Sequence, residues 1–383
     1  MSASARRPVG ARIPLALGLA IVGALFLLLA FALLQRSPGW GFDVEAYLWA
    51  GHRVALGESP YWAYTLAGPF SPGPWGIYLY APPLSVAFVP LTLLSQGAVV
   101  VGWYLARVVL LAVGCWALPV GRTTRLLVFA VGAFSQPVIV DLVLGNVSVL
   151  VFFLVALAWR GVDRPLGMAA TALAMSVRPT IGLVLLWSLV RGRLRFVVGT
   201  TVAGGVLVAI TLPVVGLAGY RDYLVVLGNV TQMTGVANNN DLASTLLRLG
   251  LAPAVATAAL YGGYILAIGA ACWSLRYDRD LSFVVTVSAT MLLAPLLWDH
   301  YLVSLMIPAA YLADRGRTWG LALPLLAWLP APLLPFVAIA ATLLPFVARH
   351  EPAPAGPGGA PALDASPLPG ILRRLRESRA GAG

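Results

Sequence analysis

The sequence predicts an all-α polytopic membrane protein, a bundle of about 10–13 transmembrane helices at ~20 residues per span. Three observations carry that expectation. Hydrophobic residues make up 60% of the 383, charged residues only 10%, and mean hydropathy is +0.88, whereas soluble chains sit near ~45–50% apolar and ~25% charged. The apolar stretches are long and continuous rather than alternating, which selects helices over a membrane barrel. The net charge of +11 comes from arginine without any lysine, placed in short loops and the C-terminal tail. That is the pattern of positive-inside topology, not of a nucleic-acid partner.

The first run, Ile13 to Leu34, is too long for the apolar region of a signal peptide and lacks a clean small-residue cleavage site. It reads as a retained helix, with Arg6, Arg7 and Arg12 holding the N-terminus in the cytoplasm. Further crossings are expected near 77–94, 98–120, 126–141, 147–159, 165–190, 195–217, 251–275, 281–297, 300–313, 318–331 and 332–348. Residues 1–348 then form one transmembrane domain, with a first outer loop at 35–77 and a later one at 218–250. The tail, 349–383, is Pro/Gly/Ala-rich and then basic, and is expected to be a disordered cytoplasmic segment.

Arg191, Arg193 and Arg195, then Arg276 and Arg279, then Arg315 and Arg317, mark cytoplasmic loops. The first half admits two topologies. Arg122, Arg125, Arg160 and Arg164 are cytoplasmic if 77–94 is re-entrant and 165–190 a broken hairpin; they are outside if both segments cross fully. The two schemes place Asn146 and Arg178 differently. Cys115 and Cys272 lie in apolar runs without metal spacing and read as buried, inert thiols.

Ionisable groups within or beside spans are few. Each costs about 2.5–3.5 kcal/mol to insert, so each is a functional candidate. "GWGFDVEAYLWAGHRVALGESPYW", Gly39 to Trp62, follows the first helix and holds Asp43, Glu45, His52, Arg53 and Glu58. Asp43 reads either as a helix N-cap or as a reactive carboxylate at the interfacial aromatic belt. On a helix Asp43 and Tyr47 share a face, while Glu45 points elsewhere to solvent. His52 and Arg53 read as a solvated face or as aids in holding an anion.

"YLYAPPLSVAFVP" puts Tyr80 at a proline-marked helix start. "LGNVSVL" puts Asn146 between apolar runs, as a turn or as a polar ligand group. "MSVRPTIGL" puts Arg178 before Pro179, far from any loop. A guanidinium there needs a partner, either an internal carboxylate such as Asp141 or a phosphate, whose oxygens match its fork. "TGVANNNDLASTLLRLG" offers Asn239 and Asp241 as turn and cap residues or as partners of a hydroxyl-rich ligand. "LLAPLLWDHYLVSL" sets Asp299 and His300 at the outer interface. P-loop, GxSxG, HExxH and GxGxxG signatures are absent, so a soluble nucleotide-sugar donor is not expected.

The ordered segments "AYLWAGHRVALGESPY", "YAPPLSVAFVPL", "LGNVSVLVFFLVALA", "SVRPTIGLVLLWSLVRGR" and "LLAPLLWDHYLVSLMIP" resemble the GT-C superfamily of integral-membrane glycosyltransferases. They are most similar to glycosyltransferase family 87, the polyprenyl-phosphate-mannose-dependent mannosyltransferases. The resemblance covers most of residues 13–315. It departs at Gly-Asn, where Gly-Gln is more usual, and at Arg178, where Lys is frequent.

The resemblance implies a helical bundle with an outer-face cavity and multi-pass insertion in the plasma membrane. It implies Asp43 as general base, a polyprenyl-phosphate sugar donor and a glycolipid or lipoglycan acceptor. The donor phosphate would then meet Arg178, His300, Arg53 and Tyr80. The acceptor or sugar would meet Tyr47, His52, Asn146, Asn239, Asp241 and Asp299. No cofactor is expected; Asp43 with Asp299 is the one carboxylate pair offered to a divalent metal, and it is not favoured. Two other classes remain open, a transporter or flippase of a lipid-linked sugar, which usually shows internal repeats, and a non-catalytic membrane scaffold.

Overall fold

A computed structural model describes residues 12–68, 76–232, 234, 239–329 and 332–343. The N-terminal Arg6 and Arg7 and the tail 349–383 lie outside the described residues. The described chain is helical. In order it forms α1 (Arg12–Leu34), α2 (Phe42–Ala55), α3 (Ala63–Ala67), α4 (Pro82–Phe88), α5 (Gln96–Ala117), α6 (Arg122–Phe134), α7 (Gln136–Leu144) and α8 (Ser148–Arg160). It continues with α9 (Pro165–Val177), α10 (Gly182–Val190), α11 (Leu194–Val230), α12 (Leu242–Arg248), α13 (Pro253–Ser274), α14 (Arg279–Leu292), α15 (Met306–Asp314) and α16 (Leu334–Leu343).

Among the described residues four helices are long and apolar enough to cross a membrane: Ile13–Leu34, Gln96–Ala117, Leu194–Val230 and Pro253–Ser274. The pair α6 and α7, bent by 62°, makes a fifth if it is one span. Their outer surfaces carry exposed Leu15, Ile21, Leu28, Val198 and Ile265, apolar area that a bilayer covers. The protein is therefore a polytopic membrane protein.

Full-length helices are fewer than the 10–13 expected, because other apolar runs are broken. Segment 77–94 holds only α4 and a 3-10 stretch, Val89–Leu93. Segment 165–190 breaks at Arg178 (φ −134°, ψ 95°), since Pro179 drives the residue before it out of helical geometry. Asp299–Leu305 and Thr318–Trp328 are 3-10. The later outer loop also differs from expectation: α11 runs on to Val230, past a break at Gly216 (φ 67°) that follows Pro213. Cys115 is buried, but Cys272 is exposed on α13.

Contacts at one end of the bundle bring the arginine-bearing loops together. Asp163 pairs with Arg193, and Arg279 reaches it at 3.8 Å. Arg191 donates to the carbonyls of Tyr277 (2.6 Å) and Asp278 (3.0 Å). The backbone N–H of Gly121 donates to Asp314 at 2.7 Å, and Arg160 reaches the Trp116 carbonyl at 3.3 Å. The loops holding Arg122, Arg160, Arg191, Arg279 and Arg315 thus share one face.

Both ends of the 165–190 segment lie there, so α9 and α10 form a hairpin that turns back at Arg178. Helices α8 and α9 each have 13 residues, about 20 Å at 1.5 Å per residue. Their far ends, Ser148 and Val177–Arg178, therefore lie at the same level, about 20 Å from the arginine-rich face, and Arg178 Nη2 meets Ser148 Oγ there at 2.8 Å.

Candidate active site

The first loop lies across that far end. Gly41 occupies the N-cap of α2 in a left-handed conformation (φ 76°), and its N–H bonds the carbonyl of Val143 at 2.8 Å. Asp43 sits inside the first turn and makes no cap bond, which corrects the capping reading. Its side chain is half-buried, and Oδ2 accepts from Asn146 Nδ2 at 2.7 Å.

The orientation of Asn146 is set by its other end. Its Oδ1 accepts from the Val147 N–H (2.7 Å) and from Ser148 Oγ (3.1 Å), so the amide nitrogen must face Asp43. The same nitrogen donates to the Tyr80 hydroxyl at 3.1 Å, and Tyr47 donates to that hydroxyl at 3.3 Å. The shared helical face of Asp43 and Tyr47 is thus realised. Asp43 Oδ1 has no hydrogen-bond partner among the described residues. Desolvation raises the Asp43 carboxyl most, nearby Asp141 adds to the rise, and Asn146 and Arg107 oppose it; the result is about 7, up from 3.8.

Asn146 also leads to the cation. Ser148 Oγ accepts from Arg178 Nη2 at 2.8 Å, and Arg178 Nη1 lies 3.4 Å from Ser304 Oγ. The guanidinium stacks over Tyr301, 3.8 Å from the ring centroid. Arg178 is buried, and no carboxylate among the described residues pairs with it. It lines a cavity of about 210 Å³ with Tyr80, Thr180, Leu227, Val230 and Tyr301. His300 is buried beside Tyr301 (ring centroids 5.1 Å apart), and its Nε2 has no partner among the described residues.

Sequence reasoning missed Arg107. It lies within α5, buried and inside a candidate span, the signal that should have found it. Arg107, not Arg178, is the partner of Asp141 (3.2 Å). It also donates to the carbonyls of Asp141, Leu142 (3.0 Å) and Asn146 (3.4 Å). Asp141 Oδ1 in turn accepts from the N–H groups of Ser148 (2.7 Å) and Val149 (3.3 Å) at the start of α8.

The pair clamps the turn that carries Asn146. Within it Gly145 has φ 84°, and a Cβ there would meet Val44 at 2.9 Å, so only glycine lets the turn pack on α2. Replacing Arg107 by Leu strands a buried carboxylate. We expect a loss of about 3–5 kcal/mol of stability, read as a lower unfolding temperature of the purified protein.

Several candidate residues do not join this group. Arg53 pairs with Glu58 (2.9 Å), donates to the Ser59 carbonyl (2.7 Å) and stacks on Trp62 (4.3 Å). His52 is exposed on the opposite face of α2 and packs edge-on to Trp49. Asn239 bonds Asp241 (2.5 Å), the Pro295 carbonyl (3.1 Å) and the Leu297 N–H (3.0 Å). Asp241 caps α12 through the Ser244 N–H (2.9 Å), so this pair builds the loop. Asp299 accepts from Gln136 (3.1 Å) and Asn240 (2.7 Å). Among the described residues no group of three His, Cys, Asp or Glu side chains is placed to hold a metal ion.

A half-buried carboxylate joined through two side chains to an uncompensated guanidinium, at one polar site in a membrane bundle, has the parts of a group-transfer centre. A comparison with family models specifies the class as an integral-membrane glycosyltransferase. The model that matches is that of glycosyltransferase family 87, over residues 78–298. That is more than half of the 383 residues, and the chain belongs to this family. The matched segment contains Tyr80, Arg107, Asp141, Asn146 and Arg178, and begins after Asp43. No curated protein and no solved structure matches the chain.

Proposed function

We propose that the protein transfers a sugar, mannose by the family resemblance, from a polyprenyl-phosphate donor to a glycolipid or lipoglycan acceptor, with inversion. The observation that carries this reading is the Asp43–Asn146–Ser148–Arg178 chain of hydrogen bonds, which ends at Arg178 in the cavity wall. The acceptor hydroxyl oxygen attacks the anomeric carbon as the bond from that carbon to the phosphate oxygen breaks, and the electron pair leaves with the phosphate. The hydroxyl proton passes to Asp43 Oδ1, the oxygen without a protein partner. A base with a pKa near the working pH suits this step.

Charge grows on the leaving phosphate, and Arg178 meets it from a buried position where an electrostatic interaction is strong. Tyr80 and His300 complete the donor side; Tyr47 and Asn146 hold the acceptor side. No cofactor enters the scheme.

The site faces away from the cytoplasm in this reading. The arginine loops share the bundle end opposite Asp43, and the positive-inside rule puts them in the cytoplasm of a plasma-membrane protein. The test is to incubate purified protein with labelled polyprenyl-phosphate-mannose and a membrane lipid extract, then identify the product by mass spectrometry. A labelled glycolipid is expected. Movement of intact donor between leaflets without transfer would favour the flippase instead.

A further inference from the structure

Away from the candidate active site, helices α1, α5 and α6 leave a groove of about 290 Å³ between them. Its length is apolar. Leu126 and Phe129 of α6 line it, and Ala20, Ala24 and Ala112 keep it open, since alanine carries no more than a methyl. One end is different. There the groove meets Arg125 and Trp116, the latter in the last turn of α5, at the face where the arginine loops gather. Trp116 is exposed, as suits an indole at a membrane interface. Arg125 to Phe129, and Trp116 to Ala112, each span about one helical turn, so the apolar wall runs ~6 Å onward from the guanidinium.

The charge at this end lacks a counter-ion. Arg125 is half-buried; its Nε donates to the Leu118 carbonyl at 3.0 Å, and its guanidinium carbon lies 5.3 Å from the Trp116 ring centroid. Its two Nη groups have no hydrogen-bond partner among the described residues. Arg160 reaches the Trp116 carbonyl at 3.3 Å and acts on Arg125 as a like charge. Neither arginine has an ion-pair partner among the described residues. The carboxylate that does act on Arg125, Asp314, is held instead by the Gly121 N–H (2.7 Å) and the Thr124 hydroxyl (3.1 Å). A guanidinium fork with free donors matches phosphate oxygens, and an open apolar groove beside it matches an acyl chain. A zwitterionic headgroup would leave the excess positive charge unmatched, and a free phosphate would leave the groove unfilled.

We propose that this groove is a site for one anionic phospholipid, with its phosphate on the Nη groups of Arg125, Arg160 beside it, and one acyl chain laid between α1 and α5 over α6. The lipid bridges α1 to the helix that carries Arg107. The proposal is independent of the glycosyltransferase reading.

Native mass spectrometry of the detergent-purified protein, with phosphatidylglycerol and phosphatidylcholine added in equal amounts, tests it. The wild type should retain phosphatidylglycerol in preference to phosphatidylcholine. Arg125→Gln should cut that preference about tenfold, the effect of losing one charge-assisted hydrogen bond. Ala112→Phe, at an exposed position, should exclude the lipid by filling the groove while leaving every charge in place. Arg122→Gln, an exposed arginine on the same face but outside the groove, should retain the lipid as the wild type does. Each variant is compared at an unfolding temperature matched to the wild type without added lipid, and the charge and volume variants test the site separately should either fail to fold. Equal retention of the two lipids by the wild type, or the same loss in Arg122→Gln as in Arg125→Gln, would overturn the proposal and leave a basic face that attracts headgroups without a site. Unchanged retention in folded Ala112→Phe would overturn it equally.

Discussion

Asp43→Asn is expected to abolish sugar transfer while leaving the protein folded. A positioned general base contributes about 10²–10⁴-fold, so kcat should fall by at least that range with the amount of folded protein unchanged. The fold should tolerate the change for two reasons. The new amide oxygen can still accept from Asn146 Nδ2, as Oδ2 does at 2.7 Å. The raised carboxyl also costs the native state at neutral pH. Because Asp43 holds its proton up to about 7 in the fold against 3.8 ordinarily, the native state binds more protons across that window, and stability declines as pH rises through it. Removing the carboxyl removes that decline, so Asn at 43 should be no less stable than Asp at pH 8.

The same value sets the sign of the wild-type pH profile. The base must be ionised to act, so kcat/KM should rise with pH and level off above about 7. Full transfer by the Asn variant, or a rate falling from pH 6 to 8, would sink Asp43 as the base.

Arg178→Ala should lower kcat by about 10²–10³, the loss that follows removal of one preorganised group aimed at developing charge. Arg178→Lys should fall between Ala and the wild type, since it keeps the charge but loses the fork that binds Ser148 and a phosphate together. Unlike Arg107, Arg178 has no carboxylate to strand among the described residues, so Ala here should cost far less stability than Leu at 107. The comparison separates the two buried arginines. One variant should fold and react slowly; the other should fold poorly. Unchanged donor kinetics in Arg178→Ala would remove it from the site.

The sequence was enough to read the membrane class and, on a helix, the shared face of Asp43 and Tyr47, and it left 165–190 open between a full crossing and a broken hairpin; what it did read follows from local properties. Apolar length sets insertion, a spacing of four sets a helical face, and a proline disfavours helix at the residue before it. Pairings were not legible. Asp141 had two arginines to choose from, and Asp43 finds Asn146 103 residues away.

Those choices depend on which turns fold back to the same depth. The tertiary structure alone decided that 165–190 is a hairpin, that Arg122 and Arg191 share a face, and that Arg53 is spent on Glu58 and Trp62. It alone revealed Arg107 as the clamp on the Asn146 turn. Hydropathy measures the free energy of leaving water residue by residue. A buried polar group is stable only beside its partner, and the partner is set by the packing of the whole bundle.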